Sequence, residues 1–234
     1  MRYLLFVIFL FFSCSPLKKY ELTGKKWEDE IKKLEALDKK ETYSDQAVLF
    51  IGSSSIRLWK SIEEDLDTYE PIKRGYGGAH YYDIIHFTNR LVSPHKVKAI
   101  AIFVANDITG KEKGINNQTV DQDLSPKEVL KLVKFVTKEI RKSHEKIPIF
   151  FIETTPTSKR WKVWDKISHA NDLIENYTTK NKNLFYIKTR SFYIGSDGMP
   201  NDNLFVKDKL HLNRKGYKLW GKIIKENFDK NLSL

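Results

Sequence analysis

The sequence predicts a three-layer α/β/α sandwich whose central sheet has five mainly parallel strands. Five short apolar runs recur along the chain, and strands with such continuous apolar character are buried on both faces of a sheet. Segments with helical periodicity separate these runs, and this alternation favours parallel pairing through right-handed crossovers. The 234 residues, 41% of them hydrophobic, are enough to bury the core of one domain.

The predicted strands cover residues 47–51, 71–74, 99–104, 147–152 and 184–188. Helices are predicted at 25–40, at 80–91, from 125, at 165–180 and from 214 onwards. The best-marked helix follows Ser125, because Pro126 and Glu128 complete a capping box with proline at the first helical position. Asn213 is predicted to cap the last helix.

The first fourteen residues form a separate unit. Arg2 precedes an apolar run over 3–12, which is shorter than the roughly 20 residues of a spanning helix, so we expect an export signal. The run ends at Ser13 and Cys14, the only cysteine, and resembles a bacterial lipoprotein signal. The resemblance implies lipidation of Cys14 as the mature N-terminus, a polar tether over 15–24 and one domain over 25–234. We therefore expect an exported lipoprotein that is held to the membrane by its lipid alone and faces the periplasm; an ordinary signal peptide or an incidental cysteine is the alternative.

The net charge of +11 raises the question of an anionic partner. Only eight of the 41 basic residues are arginine, and the lysines are spread along the chain. Nucleic-acid-binding proteins rely on arginine and cluster their basic residues, so we expect no nucleic-acid partner. The charge is interpreted as a solvated lysine-rich surface. The sequence leaves the oligomeric state open.

Three serines follow the first predicted strand. The run that ends at Ile51 meets Gly52 and then Ser53, Ser54 and Ser55. Ligands of α/β proteins gather beyond the carboxyl ends of the strands, so these hydroxyls stand where catalysis is expected. The alternative is that they only cap the next short helix.

The next two predicted strands also end in groups suited to binding. Gly75, Gly77 and Gly78 follow the second strand, and their backbone N–H groups can approach a ligand. A plain tight turn explains these glycines equally well. Asn106 and Asp107 follow the third strand and place polar side chains at its carboxyl end.

A histidine that could activate a serine precedes the last helix. Asp208 comes three residues before His211 on a predicted loop, where a carboxylate can fix the imidazole tautomer and stabilise the imidazolium. Asp83 and His86 have the same spacing. They lie in a predicted helix, where positions three apart simply share a face, so we interpret them as a surface pair.

Four separated pieces of the chain resemble, in order and spacing, the blocks of the SGNH (GDSL-type) hydrolase family. They are residues 52–54, 77–78, 106–107 and 208–211, and the resemblance covers about residues 25–230. It implies the SGNH fold and a catalytic triad in which Ser54 is the nucleophile, His211 the base and Asp208 its orienting carboxylate.

The same resemblance implies an oxyanion hole. Its donors would be the N–H groups of Ser54 and Gly78 and the side chain of Asn106. Two residues depart from the family pattern: Ala105 replaces a glycine, and Ser53 replaces the usual aspartate. Neither change removes a catalytic group, although the methyl group of Ala105 could narrow the pocket.

The expected activity is a serine esterase without metal or cofactor. The sequence has no metal-ligand spacing and no phosphate loop, and it has no long apolar insertion that could form a lid. We therefore expect short acyl esters, above all acetyl groups on a carbohydrate. Arg160 and Trp161, together with Trp59 and Tyr76, are candidate sugar contacts, although core packing is the favoured interpretation for each of the two tryptophans. A lysophospholipase or thioesterase-type acylhydrolase and a non-catalytic, membrane-tethered binding module are the alternative functions.

Overall fold

Five strands form one sheet in the order β2-β1-β3-β4-β5. The computed structural model describes residues 15–111 and 123–232. The strands are β1 (Val48–Gly52), β2 (Pro71–Gly75), β3 (Ala99–Phe103), β4 (Ile149–Ile152) and β5 (Leu184–Ile187). The predicted α/β class and the five predicted strands are confirmed, and all four pairings of these strands are parallel.

Helices cover both faces of the sheet, which gives the three predicted layers. They are α1 (Pro16–Lys19), α2 (Glu21–Asp38), α3 (Ser54–Leu58), α4 (Ile62–Asp65), α5 (Tyr81–Val92), α6 (Pro126–Ser143), α7 (Trp164–Thr179) and α8 (Arg214–Asn231). Short 3₁₀ helices lie at Ser158–Val163, Arg190–Phe192 and Asp202–Leu204. Side chains of β1 alternate between the faces. Leu49 and Ile51 pack with α2, α5, α6 and α7, whereas Val48 and Phe50 pack with α3, α4 and α8.

Both predicted helix caps are present. Ser125 Oγ accepts a hydrogen bond from the Glu128 N–H at 3.3 Å, and the Glu128 carboxylate accepts one from the Ser125 N–H at 3.0 Å. Asn213 Oδ1 accepts from the N–H groups of Lys215 and Gly216 at the start of α8. These bonds satisfy backbone donors that the first helical turn leaves unpaired.

The carboxyl ends of the three strands β1, β2 and β3 meet at one edge of the sheet. Gly52 at the end of β1 lies opposite Gly75 of β2 and Phe103 of β3. The segments that follow these residues are the serine turn, the glycine turn and the Asn106 loop. The parallel register therefore brings three of the four motif segments together.

The segment 15–24 is helical, although the sequence predicts a polar tether there. It contains α1 and the start of α2. Thr23 Oγ1 donates to the Tyr82 carbonyl at 3.1 Å, and Gly24 is buried against the His86 ring. Ordered structure therefore begins before residue 25, because these small residues let α2 pack on α5.

The predicted signal peptide and Cys14 lie outside the described residues, and within 15–111 and 123–232 no helix has both the length and the apolarity to cross a membrane.

Two aromatic residues proposed as sugar contacts are core residues instead. Trp59 is fully buried, stacks on Tyr217 with ring centroids 5.7 Å apart, and donates from Nε1 to Asp65 at 2.8 Å. Tyr76 is 1% exposed and packs against Trp27 at 5.2 Å. The packing interpretation of Trp59 is confirmed, whereas the sugar contact predicted for Tyr76 was wrong, because its side chain turns from the end of β2 into a helix layer.

We expect Gly52→Ala to lower the free energy of unfolding by at least about 3 kcal/mol. Gly52 has a φ of 141°, and an added Cβ would lie 1.9 Å from the Phe103 carbonyl oxygen. Gly198→Ala is the matched control, since Gly198 also has a positive φ of 76° but an added Cβ would meet nothing within 4 Å. The control should cost about 1–2 kcal/mol. Urea unfolding followed by tryptophan fluorescence measures both, and equal losses would contradict the steric argument.

Candidate active site

The serine turn is held between the ends of β2 and β3. The Ser53 N–H donates to the Phe103 carbonyl at 2.9 Å. On the other side, the Tyr76 N–H donates to the Gly52 carbonyl at 3.0 Å. Ser54 is the first residue of α3, so the helix itself offers its N–H no acceptor. The turn thus fixes Ser54 at the strand edge and leaves its backbone donor available.

Ser54 is the serine that contacts a histidine. Its Oγ lies 3.0 Å from His211 Nε2. Ser53 is buried, and within the described residues neither its hydroxyl nor that of Ser55 is paired with His211. The capping alternative has no support at Ser53, whose side chain makes no capping bond to α3.

A tight hairpin between Phe205 and Leu212 presents the base. These two residues form an isolated antiparallel bridge. Inside the hairpin, Asp208 Oδ1 accepts from the N–H groups of Leu210 at 2.9 Å and His211 at 3.0 Å. The second oxygen, Oδ2, lies 2.6 Å from His211 Nδ1. The arrangement is an aspartate turn, which explains why a spacing of three residues is enough to pair the two side chains.

The Asp208 carboxylate fixes the tautomer of His211. Partial burial raises the pKa of Asp208, but hydrogen bonds from the His211 side chain and from the N–H groups of His211 and Leu210 lower it below its ordinary value. Because an ionised carboxylate only accepts hydrogen bonds, Nδ1 of neutral His211 carries the proton. Nε2 then presents its lone pair to the Ser54 hydroxyl, as a general base must.

The predicted oxyanion donors differ in their relation to the cleft, since Asn106 lines it and Gly78 is not among its lining residues. Asn106 lines the same cleft as Ser54 and His211, and its Nδ2 donates to the Ala79 carbonyl at 2.9 Å. An amide nitrogen has a second N–H, which leaves one donor for a ligand. Gly78, with a φ of 72°, directly precedes Ala79. Among the described residues, the N–H groups of Ser54 and Gly78 have no hydrogen-bond acceptor.

Asp107 ties the glycine turn to the end of β3. It is buried, and both of its carboxylate oxygens lie within 3.0 Å of the Tyr81 nitrogen. Burial raises the pKa of Asp107 to about 6, although the neighbouring His80 opposes the shift. Since Tyr81 begins α5, this bond sets the spacing between Gly78 and Asn106.

The second aspartate and histidine pair is not a surface pair. Asp83 is buried and accepts from the backbone N–H of His80 at 3.0 Å, and the His80 ring lies at the same distance. His86 Nε2 instead lies 2.8 Å from the Tyr20 carbonyl. The sequence interpretation was wrong about this pairing, because Asp83 closes a capping box at the start of α5.

The cleft above Ser54 is small, with a cavity volume of about 30 Å³. Sequence reasoning gave no role to several of its lining residues, namely Thr154, Thr155, Thr157, Phe205, Leu210 and Leu212. The threonines follow the carboxyl end of β4, so their position after a strand could have indicated that they line the site. The apolar residues lie near Asp208 and His211 in the sequence, which is the corresponding signal for them. Arg160 and Ala105 line the cleft. Trp161 does not; its ring stacks on Trp164 with centroids 5.9 Å apart.

No family profile and no curated protein sequence matches the chain. Solved structures do match. A Streptococcus pneumonia protein provisionally described as a platelet activating factor gives a TM-score of 0.72 at 17% identity, over 90% of this chain and 97% of that one. A GDSL-like lipase from Bacteroides thetaiotaomicron gives 0.67 at 17% identity, over 86% and 98%. The fold is that of the SGNH hydrolases.

The SGNH fold also includes a carbohydrate esterase family 3 protein from Talaromyces cellulolyticus, which gives a TM-score of 0.59 at 13% identity, over 80% of this chain and 98% of that one. At such identities the similarity establishes the SGNH fold alone. Ser54, His211 and Asp208 provide a hydroxyl, an imidazole and a carboxylate that are hydrogen-bonded in series. This arrangement is suited to nucleophilic attack on a carbonyl carbon. Within the described residues, no three His, Cys, Asp or Glu side chains are grouped as metal ligands.

We expect Ser54→Ala to eliminate esterase activity, because Ser54 has the hydroxyl within hydrogen-bond distance of His211. Ser53→Ala and Ser55→Ala are matched controls that remove neighbouring hydroxyls and should keep most of kcat. Hydrolysis of p-nitrophenyl acetate measures all three. Full activity in Ser54→Ala with loss in Ser53→Ala would place the nucleophile one residue earlier.

Proposed function

We propose that the protein is a serine esterase that hydrolyses short acyl esters on a carbohydrate. One observation carries the proposal: Ser54 Oγ lies 3.0 Å from His211 Nε2, and His211 Nδ1 lies 2.6 Å from Asp208 Oδ2. The stability of the fold does not require a hydrogen-bonded series of serine, histidine and aspartate at the rim of a cleft. The unpaired N–H groups of Ser54 and Gly78 supply what a developing oxyanion needs.

In the proposed reaction His211 Nε2 takes the proton of the Ser54 hydroxyl as Oγ attacks the ester carbonyl carbon. The oxyanion accepts hydrogen bonds from the donors of Ser54, Gly78 and Asn106. His211 then gives the proton to the leaving alcohol oxygen as the C–O bond breaks, and Ser54 remains acylated. A water molecule, deprotonated by His211, attacks the acyl group; the acid leaves and the proton returns to Ser54.

The size and lining of the cleft support a small acyl group. The cavity volume of about 30 Å³ is well below the roughly 300–1,000 Å³ of sites that enclose drug-sized ligands. Threonine hydroxyls and the Asn106 amide share the lining with a few apolar side chains, which suits a polar acceptor such as a sugar. Two structural neighbours support the same substrate class by name: the carbohydrate esterase family 3 protein and an acetyl esterase mutant that holds an acetate ion.

A small apolar pocket beside the cleft bears on a second candidate function. Its cavity volume is about 20 Å³, so an acyl chain could enter only if the pocket walls moved apart. Ala105 and Thr154 line both this cavity and the cleft. The remaining walls are mainly aliphatic: Val104, Ile108, Val129, Ile167, Ala170 and Ile174. An acyl chain that entered this space would gain about 0.8 kcal/mol for each buried CH₂. A lysophospholipase or thioesterase-type acylhydrolase would use the cavity in this way.

A series of p-nitrophenyl esters from two to twelve carbons separates the two candidates. We expect kcat/KM to peak at acetate or butyrate, because an open cleft gains little from each added methylene. A steady rise to eight carbons or beyond would favour the acylhydrolase. Ala170→Leu, which fills the side cavity, is the matched control: it should leave acetate turnover unchanged and lower only turnover that depends on the cavity. Absence of turnover for every ester would favour a binding module without activity.

We also propose that Cys14 carries a lipid anchor and that the domain faces the periplasm. The apolar run over 3–12 and the Ser13–Cys14 junction support this, and no acidic run follows the cysteine. We expect Cys14→Ser to leave an active enzyme in the soluble fraction or as an uncleaved precursor. Mass spectrometry of the mature N-terminus is the measurement, and an unacylated Cys14 in the wild-type protein would rule the anchor out.

A further inference from the structure

Arg160 brings a half-buried cation to the wall of the cleft beside Asn106. Its Nη2 donates to Asn106 Oδ1 at 2.6 Å, and its Nη1 donates to the Ala105 carbonyl. Burial lowers the pKa of Arg160 to about 10, with partial opposition from Asp123 and Asp107, so the guanidinium remains charged at neutral pH. In the described part of the chain, no carboxylate forms an ion pair with Arg160, whose two hydrogen bonds go to a backbone carbonyl and a side-chain amide oxygen. A partly buried cation loses part of its hydration, and no carboxylate offsets that loss here, which argues against a purely structural purpose.

The two neighbours of the Asn106 amide leave it one orientation. A guanidinium can only donate, so it requires the amide oxygen. The Ala79 carbonyl can only accept, so it requires the amide nitrogen. A flipped amide would set donor against donor and acceptor against acceptor. The second N–H of Nδ2 is thereby kept for another acceptor.

The segment that carries Arg160 is anchored to the catalytic hairpin. Arg160 lies in the 3₁₀ helix Ser158–Val163, and the Lys159 N–H donates to the Lys209 carbonyl at 3.2 Å. Ser158 Oγ donates to Asp202 at 2.6 Å, and Lys209 pairs with the same carboxylate at 2.8 Å. Because Lys209 lies between Asp208 and His211, these contacts connect the base to the Asn106 side of the cleft.

We propose that Arg160 is a positioning residue that acts through Asn106: it holds the amide with one N–H available to the oxyanion and adds positive charge behind that donor. The inference rests on the proposed esterase function. A charged donor on Oδ1 polarises the amide and strengthens the N–H that the oxyanion accepts. This role differs from the direct sugar contact that the sequence position of Arg160 suggested.

A double-mutant cycle tests the proposal. Asn106→Ala should lower kcat by about 10²-fold to 10³-fold, the range for loss of one oxyanion donor. Arg160→Met should lower kcat by about 10-fold to 10²-fold with little change in KM, and Arg160→Lys should recover part of the loss because it keeps the charge. In the Asn106→Ala background, Arg160→Met should have no more than about a twofold effect, since its target is gone.

Losses that multiply in the double mutant, or a loss confined to KM, would overturn the proposal and favour direct substrate contact. Arg141→Met is the matched control for structural damage. Arg141 donates to the carbonyls of His144, Ile147 and Asn183, so its loss should lower stability without changing kcat. If Arg160→Met does not fold, the double-mutant cycle with Asn106→Ala is measured with Arg160→Lys instead.

A second measurement needs no turnover. In protein labelled with ¹⁵N-asparagine, the side-chain amide signal of Asn106, assigned by its absence in Asn106→Ala, should shift and exchange faster with solvent in Arg160→Met. It should not change in Arg141→Met. An unchanged signal in Arg160→Met would overturn the positioning role. If the wild-type protein hydrolyses no ester but the Asn106 signal still shifts in Arg160→Met, the proposed esterase function is wrong and the positioning of the amide by Arg160 remains supported.

Discussion

The candidate site depends on how closely β1 can approach β3 at Gly52. No side chain fits between Gly52 and the Phe103 carbonyl. This close approach lets the Ser53 N–H reach β3 while the Gly52 carbonyl receives the Tyr76 N–H from the β2 side. The chain must then turn away from the sheet at once, and it does so by starting α3 at Ser54. The same backbone geometry therefore sets the position of the hydroxyl, frees the adjacent N–H and aligns the glycine turn beside them.

Fixed charges beside His211 and Asn106 suit the charges that the proposed reaction creates. Attack on an ester produces an imidazolium at His211 and a negative oxygen at the former carbonyl. The Asp208 carboxylate faces the first, and Arg160 stands behind the Asn106 donor that faces the second. Both charges are in place before substrate arrives, so little reorganisation accompanies the reaction. The contact between Lys159 and Lys209 joins the two sides through the backbone.

The parts of the fold that sequence could predict are those that local chemistry determines. Apolar runs marked the strands, Ser125 and Glu128 marked the start of α6, and the spacing of Asp208 and His211 marked a turn that pairs the two within four residues. Features that depend on distant packing were missed. Tyr76 follows the end of β2, as a surface contact would, yet α2 covers it. Thr23 and Gly24 look like linker residues, but their small size is what α5 requires. The orientation of Asn106 by Arg160 joins residues 54 positions apart and has no local signal.

The contact between Ser54 and His211 joins residues that are 157 positions apart, and the hairpin that carries the base follows β5, the last strand in chain order. A growing polypeptide therefore gains its nucleophile and its oxyanion donors long before it gains a base. An intermediate that has already assembled the whole sheet still cannot deprotonate Ser54. The segment after β5 also carries Phe205, Leu210 and Leu212 of the cleft lining, and the whole of α8, whose apolar side lies in the core. The proposed base is therefore made late in synthesis, just before a helix that the fold itself requires.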